Sequence, residues 1–253
     1  MGAAFFATGH YARIETAGTT GEYRLLPGAD RRKEQSYFLF RLDQPRLART
    51  IMPLGSFTKA QTRALACGRA LPVPYDRESQ DVCFLAGTDY ARFVVRRFPD
   101  CAAPGPILDR AGTVLGRHRG LIHYTVGQRR GIGIAGPAPL YVLRLDPERN
   151  AVVVGERRYL YGDCLEARAV HYVSGVVPEA PFRAMVKIRY LHQPAAAVVA
   201  PRDGTCASVR FDEPQLSITP GQSVVFYDPQ EGFVIGGGVI DGPADTADGY
   251  CRT

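Results

Sequence analysis

The stretch Glu78-Ser79-Gln80-Asp81-Val82-Cys83-Phe84-Leu85 sets a single thiol where a polar loop turns apolar. A cysteine reacts as its thiolate, which needs access to a substrate and a charge environment that favours ionisation. A strand edge leaving a polar loop supplies the access. Glu78 and Asp81 disfavour the anion, so activation has to come from elsewhere in the fold or from the bound substrate. Free cysteines are also among the most buried residue types, so an inert strand thiol is a competing reading of Cys83. Gly9-His10-Tyr11 follows the apolar run Ala3-Ala4-Phe5-Phe6-Ala7. The glycine either lets a nucleotide base or ribose approach the backbone, with His10 in the same cleft, or is a turn glycine beside a satisfied histidine. Arg117-His118-Arg119, His123-Tyr124 and Gln128-Arg129-Arg130 crowd cations and stacking groups together. Guanidinium forks bind phosphates, and aromatic or imidazole rings stack on unpaired bases. The same residues also fit a solvated, Arg-rich loop. Glycines at 116, 120, 127, 131 and 133 favour binding, because bare backbone can lie close to a phosphate strand.

The elements that must carry these groups can be read from pattern. Residues 3–10 read as a short buried strand ending in a glycine turn, the place where ligands collect in an α/β layer. A parallel strand of this kind needs partners, and the next seventy or so residues contain no repeated βαβ pattern. A hairpin follows, Tyr11 to Ile14 and Tyr23 to Leu26 around Gly18 and Gly21, then a short helix near Lys33 to Leu42. Thr58-x-x-Gln61 has the form of a capping box and starts a helix that should fail near Gly68, before Pro72. Thr88 is placed to cap another helix through Phe98, with Tyr90, Phe93, Val94 and Arg97 at helical spacing. From Pro104 onward Gly and Pro recur at short intervals, which predicts an all-β remainder. Turns fall at Asp109–Gly112 and Pro147–Asn150. Strands over 182–190, 196–200, 206–211, 223–227 and 233–240 suggest a small closed barrel. In the first of these, Arg183, Lys187 and Arg189 alternate with Phe182, Ala184, Val186, Ile188 and Tyr190, and form either a solvent face or a second contact surface.

The bulk properties bound the function class. The 253 residues are 45% apolar and 22% charged, ordinary for a globular protein. No apolar run approaches the roughly 18 residues of a membrane span, and the N-terminus lacks the pattern of a secretion signal, so the expectation is a cytoplasmic protein without a membrane partner. Six cysteines without a CxxC pair fit neither a zinc ribbon nor a dense disulfide framework, and no metal site is expected. A formal charge of +6 and a pI near 9.1 favour an acidic partner, nucleic acid before lipid.

Read in order, the segments "ATGHYAR" at 7–13, "KEQSYFL" at 33–39, "PLGSFTK" at 53–59, "SQDVCF" at 79–84, "GRHRGLIHYTVGQRRGIGI" at 116–134, "PLYV" at 139–142, "KIRY" at 187–190 and "ITPGQSVVFYD" at 218–228 resemble the tRNA-specific 2-thiouridylases of the MnmA family over nearly the whole chain. The resemblance implies ATP-dependent sulfuration of C2 of the wobble uridine of tRNA. ATP adenylates the carbonyl oxygen, a poor leaving group, and sulfur carried as a cysteine persulfide then displaces AMP. It assigns the persulfide to Cys83 and a nucleotide contact to Gly9. It assigns tRNA contacts to His10, Lys33, Glu34, Gln35, Arg189, Tyr190 and Gln222. Glu34 stands where the family more usually has Asp. A sulfur-donor protein and a disulfide bond belong to the same implication.

The family's Gly- and Ser-rich pyrophosphate loop, of the type SGGVDS, and its first catalytic Asp and Cys are absent from these residues; no cysteine precedes Cys67. That loop cradles ATP phosphates with backbone N–H groups, and the cysteine would resolve the persulfide. The expected fold is an α/β remnant of a nucleotide-binding domain of the adenine nucleotide alpha hydrolase-like type at 1–80. A small central domain with Cys83 and the basic loop follows at 81–158, and a C-terminal β-barrel at 159–253. The expected function is a tRNA 2-thiouridylase that is inactive as this chain alone, with a mis-assigned start, a separate N-terminal chain or gene decay as the possible origins. A non-catalytic RNA-binding protein is the alternative.

Overall fold

The computed structural model describes residues 2–18, 20–72, 90–136, 138–203 and 205–242. The chain divides into two compact units, Met1–Pro74 with Asp163–Thr253 and Tyr75–Gly162.

The first unit begins with β1 (Phe6–Ala7), paired in parallel with β4 (Thr50–Ile51). The sequence predicts a buried strand here, yet Phe5 and Phe6 are 60% and 67% exposed. A parallel pair is buried only when layers cover both faces, and none covers this one among the described residues. β2 (Ala12–Thr16) and β3 (Tyr23–Pro27) form the expected hairpin. The predicted helix at 33–42 shrinks to α1 (Ser36–Leu39). Its first residues form a turn instead, because the side chains of Glu34 and Gln35 capture the backbone N–H groups of Ser36 and Tyr11. α2 (Gln44–Leu47) is capped by Asp43, whose carboxylate accepts the Arg46 N–H. α3 (Lys59–Gly68) carries the predicted capping box, with Thr58 and Gln61 each accepting the other's backbone N–H.

The second unit starts with α4 (Tyr90–Arg97); Thr88, its expected cap, lies outside the described residues. β5 (Gly105–Leu108), β6 (Val114–His118), β7 (Tyr141–Asp146) and β8 (Ala151–Gly155) form one sheet in the order β6-β5-β8-β7. Ile107, Tyr124, Ile132, Val142, Val152 and Val154 make its core. Both predicted turns are present. Asp109 accepts the Thr113 N–H across the first, and Asn150 takes a left-handed φ of 45° in the second.

The remaining strands return to the first unit. β9 (Tyr161–Tyr172), β10 (Phe182–Lys187), β11 (Ala195–Pro201), β12 (Ala207–Leu216), β13 (Ser223–Tyr227) and β14 (Val234–Gly242) close into a barrel, ordered β10-β11-β12-β9-β14-β13. β9 is the strand that pattern alone misses. Leu165 and Ala167 face the barrel interior, then Ala169 at φ 49° breaks the alternation before Val170 and Tyr172 resume it.

β13 shows how the N-terminal segment is held. Val224 and Phe226 point into the barrel, while Val225 and Tyr227 point outward into a second core with Ala12, Leu25, Tyr37, Phe40 and Leu47. Covered on both faces, this strand reads as an unbroken apolar run. Gly237 of β14 lets that docking close up, because a Cβ there would stand 2.5 Å from the Val224 carbonyl oxygen and 2.8 Å from a Phe40 ring carbon. Gly237→Ala is expected to cost about 1–3 kcal/mol of unfolding free energy through overpacking, read as a lower urea midpoint.

Candidate functional site

Turn 33–35 and the residues after β1 are tied together by Gln35. Its Oε1 accepts the Tyr11 N–H at 3.0 Å, and its own N–H donates to the Tyr11 carbonyl at 3.0 Å. This reciprocal pair fixes His10 beside the turn. The Nδ1 of His10 lies 2.8 Å from the Thr8 hydroxyl, which sets the ring's orientation. Asp30 braces the other side of the turn, accepting the N–H groups of Arg32 at 3.1 Å and of Lys59, the first residue of α3, at 2.9 Å. The Lys59 amide, with those of Arg32 and Lys33, holds the Asp30 carboxyl below the usual carboxylate range against a small opposing effect of burial.

Glu34 is 7% exposed. One carboxylate oxygen accepts the Ser36 N–H, and the other faces the Lys187 ammonium of β10 at 3.6 Å. The predicted basic stripe is therefore not a uniform solvent face. Lys187 is turned inward to this pair, Arg183 forms a two-pronged pair with Asp212, and Arg189 donates to the Leu216 carbonyl at 3.1 Å. Tyr190 lies 4.7 Å from the Phe38 ring and 6.2 Å from that of Tyr37, and the Tyr37 hydroxyl donates to the Ser223 carbonyl at 2.8 Å. Gln222, next along the chain, has an exposed side chain.

A cleft of about 800 Å³ opens over this floor, lined among others by Arg31, Arg32, Glu34, Lys187, Tyr190 and His192. Burial raises the phenol of Tyr37 to about 12, and burial together with the Glu34 charge raises that of Tyr190, so both stay protonated donors at neutral pH. Burial and the nearby Arg189 push His192 down, so it is a neutral imidazole there. Of the candidate set from sequence, Glu34 and Tyr190 line the cleft; Arg31, Arg32, Lys187 and His192 are among the lining residues that the set lacks. Lys187 stood in a motif without its partner, and the partner, 153 residues away by number, is set only by barrel closure. The cleft sets the cations of Arg31, Arg32 and Lys187 against the carboxylates of Glu34, Asp228 and Glu231, with the neutral Tyr190 and His192 between them, so an anion has to be held at the arginine side.

Seven of the nine predicted site residues, His10, Lys33, Glu34, Gln35, Arg189, Tyr190 and Gln222, lie in this unit; His10 adjoins the Tyr11–Gln35 pair, Arg189 turns to the Leu216 carbonyl, and Gln222 adjoins the Ser223 carbonyl that accepts from Tyr37. Gly9 is exposed, has no positive φ, and a Cβ there would meet only Leu54 at an ordinary 3.6 Å. Nothing among the described residues requires glycine at that position. Cys83 lies outside the described residues. Among those described, Cys67, Cys101 and Cys206 are free thiols, Cys164 is buried in β9, and no cluster of His, Cys, Asp or Glu could hold a metal.

In the second unit the basic loop divides. His118 is 2% exposed, with one ring nitrogen 2.8 Å from the Asn150 carbonyl oxygen and the other accepting the Gly120 N–H. It is a core residue and no stacking group for RNA, as is Tyr124 against it. Gly120 is explained by the fold itself, since φ is 116° and a Cβ would stand 2.6 Å from the Ala102 backbone. Arg117, Arg119, Arg129 and Arg130 are exposed and carry no ion pair among the described residues.

A nucleotide's ribose or base could approach the open backbone at Gly9, but the 253 residues include no Gly-Ser loop to cradle its phosphates. The site as it stands does not fit a whole ATP.

Three family models match in succession. They are described as tRNA methyl transferase HUP domain over residues 1–87, tRNA methyl transferase PRC-barrel domain over 91–156, and aminomethyltransferase beta-barrel domain over 162–240. The chain is 48% identical over 242 residues to a tRNA-specific 2-thiouridylase MnmA of Heliobacterium modesticaldum, covering 95% of this chain and 62% of that one. Its counterpart in Geotalea uraniireducens is 48% identical over 246 residues, 97% of this chain and 64% of the relative. That of Roseiflexus castenholzii is 46% identical over 254 residues, 95% and 68%. The chain thus spans a little under two thirds of the length of the first two relatives.

Proposed function

Because the chain belongs to the MnmA family of tRNA-specific 2-thiouridylases, we propose that it supplies the sulfur-carrying and tRNA-binding parts of ATP-dependent thiolation at C2 of the wobble uridine. The relatives, aligned over nearly the whole chain, carry this reading rather than the methyl-transfer wording of the family models. Residues 1–80 hold the nucleotide-facing Gly9 and the turn at Lys33–Gln35. Residues 81–158 hold Cys83 and the exposed arginines, and 159–253 hold the barrel with Arg189, Tyr190 and Gln222. Cys83 accepts a sulfane sulfur from a donor protein: its thiolate attacks the terminal sulfur of the donor's persulfide, and the donor leaves as thiolate. The reaction belongs to the cytoplasm.

The observation that carries the proposal is the cleft that brings Arg31, Arg32 and Glu34 of the N-terminal segment to Lys187 and Tyr190 of the barrel, with His10 held near the turn through the Tyr11–Gln35 pair. Arg31, Arg32 and Lys33 supply charge for phosphates, and Tyr190 supplies a ring for a splayed base. Glu34, committed to Ser36 and Lys187, acts by setting the Lys187 ammonium. Adenylation is assigned to residues outside these 253, since no phosphate loop occurs among them. Assayed alone with ATP and a persulfide donor, the chain is expected to bind tRNA and leave its uridine unmodified.

His10 and Gln222 give the cleanest test, because neither side chain braces the fold beyond the local Thr8 hydrogen bond. His10→Ala and Gln222→Ala are each expected to weaken tRNA binding about tenfold, ~1.4 kcal/mol, with unchanged thermal midpoint. Wild-type affinity in both variants, by fluorescence anisotropy at fixed salt, would remove this surface from the proposal.

A further inference from the structure

The second unit carries a group of arginines and tyrosines that the cleft does not use. Arg110, in the β5–β6 turn, sets its guanidinium carbon 3.7 Å from the Tyr159 ring centroid. Arg158 stands 4.9 Å from the same centroid, and Arg157 stands 5.9 Å from that of Tyr161. Tyr159 and Tyr161 are 40% and 39% exposed, and all three arginines are at the surface. The stem of Arg110 is held as well: a Cβ on Gly155 would lie 3.5 Å from its Cγ, so the chain runs along the bare end of β8.

Charge around this group is only partly compensated. Arg158 pairs with Glu156 at 2.9 Å, but among the described residues Arg110 and Arg157 have no acidic partner. The neighbouring Asp109 carboxylate is turned into its own loop, accepting the Thr113 N–H at 2.8 Å. The guanidinium groups of Arg110 and Arg158 are thus held within about 5 Å of one ring centre, with Glu156 on Arg158 alone, so an incoming anion would meet Arg110 and Arg157 as the unpaired cations. A guanidinium held against a tyrosine ring can still present N–H donors to a phosphate fork.

We propose that Arg110, Arg157 and Arg158, set beside Tyr159 and Tyr161, form a second RNA-binding surface of this protein that grips the phosphate backbone of tRNA in addition to the cleft. The choice of RNA over an acidic protein segment rests on the partly exposed Tyr159 and Tyr161 rings beside the arginines, which give bases an aromatic contact where the guanidinium groups give phosphates a charged one. The inference rests on the tRNA reading above and adds a second grip to it.

The test compares two variants of the 253-residue chain, Arg110→Ala/Arg157→Ala and, in the cleft, Arg31→Ala/Arg32→Ala, in anisotropy titrations with tRNA from about 50 to 200 mM salt. The Arg110/Arg157 variant is expected to weaken binding about tenfold and to make the salt slope shallower by about 1–2, since every guanidinium withdrawn from a phosphate lessens the counterion release on binding. Tyr159→Ala, which frees two guanidinium groups without removing charge, is expected to weaken binding severalfold while keeping most of the slope. Circular dichroism melts exclude misfolding. Unchanged affinity and slope in the Arg110/Arg157 variant, with weakening in the cleft variant, overturn this surface and leave the cleft reading standing. Weakening in the Arg110/Arg157 variant alone supports the surface and sinks the cleft. A wild-type chain that ignores tRNA overturns both. A chain that binds polyglutamate through Arg110 and Arg157 while tRNA binding is indifferent to them assigns the patch to an acidic protein, against the proposal.

Discussion

Lys187→Ala is expected to lower the unfolding free energy of the chain by about 3–5 kcal/mol, the range for removing one partner of a buried ion pair. Both side chains are close to nine-tenths covered, 11% and 9% exposed. The surviving Glu34 carboxylate would keep the Ser36 N–H and lose the Lys187 ammonium in a cleft floor that water reaches poorly. Removing the charge on both sides is predicted to behave differently. In Glu34→Gln/Lys187→Met, the glutamine carbonyl still accepts from Ser36 and the methionine refills the lysine's volume. The double variant should lie within about 1.5 kcal/mol of wild type. Urea unfolding of the three variants decides it, since a cost below about 1 kcal/mol for Lys187→Ala would mean a hydrated pair of surface type. The tRNA reading predicts a second divergence. The double variant recovers stability without recovering affinity, because the cleft has lost its ammonium.

The contrast between Lys187 and Thr58 shows which parts of the molecule sequence makes legible. The capping box at Thr58 and Gln61 is closed by neighbours three residues apart, so local pattern finds it. The first barrel strand read from sequence, from 182, sends Ala184 and Val186 inward as the alternation predicts, whereas β9, which precedes it, is missed because Ala169 shifts the phase. The packing of Val225 and Tyr227 on Phe40 and Leu47 is invisible in the same sense as the Lys187 pair, because it joins segments nearly two hundred residues apart. His118 marks the opposite error. Flanked by Arg117 and Arg119 it reads as part of a basic surface, but strand alternation turns it inward to Asn150 while the arginines face out. The Tyr159 group escaped because its turn at 109–112 and its residues 157–161 meet only when β5 pairs with β8.

Cys83→Ser is expected to abolish the chain's capacity to accept sulfur at that position and to leave its tRNA affinity within about twofold, less than ~0.4 kcal/mol. The test needs no ATP. The full chain is incubated with a protein that carries a persulfide, and the added sulfur is mapped by peptide mass spectrometry across the six cysteines. Cys164, 4% exposed in β9, should stay unlabelled; Cys67 and Cys206, exposed, report non-specific exchange. Sulfur on Cys67 and Cys206 with none on Cys83 would return Cys83 to an inert thiol. The acidic neighbours Glu78 and Asp81 make the prediction sharper. They disfavour the thiolate, so labelling of Cys83 should quicken as pH rises and should quicken again at fixed pH in Asp81→Asn. A tRNA polyanion adds to the same penalty, so sulfur loading is expected to be faster on the free chain than on its tRNA complex. The expected order is then that sulfur is loaded on Cys83 before tRNA binds, which loading rates measured with and without tRNA decide.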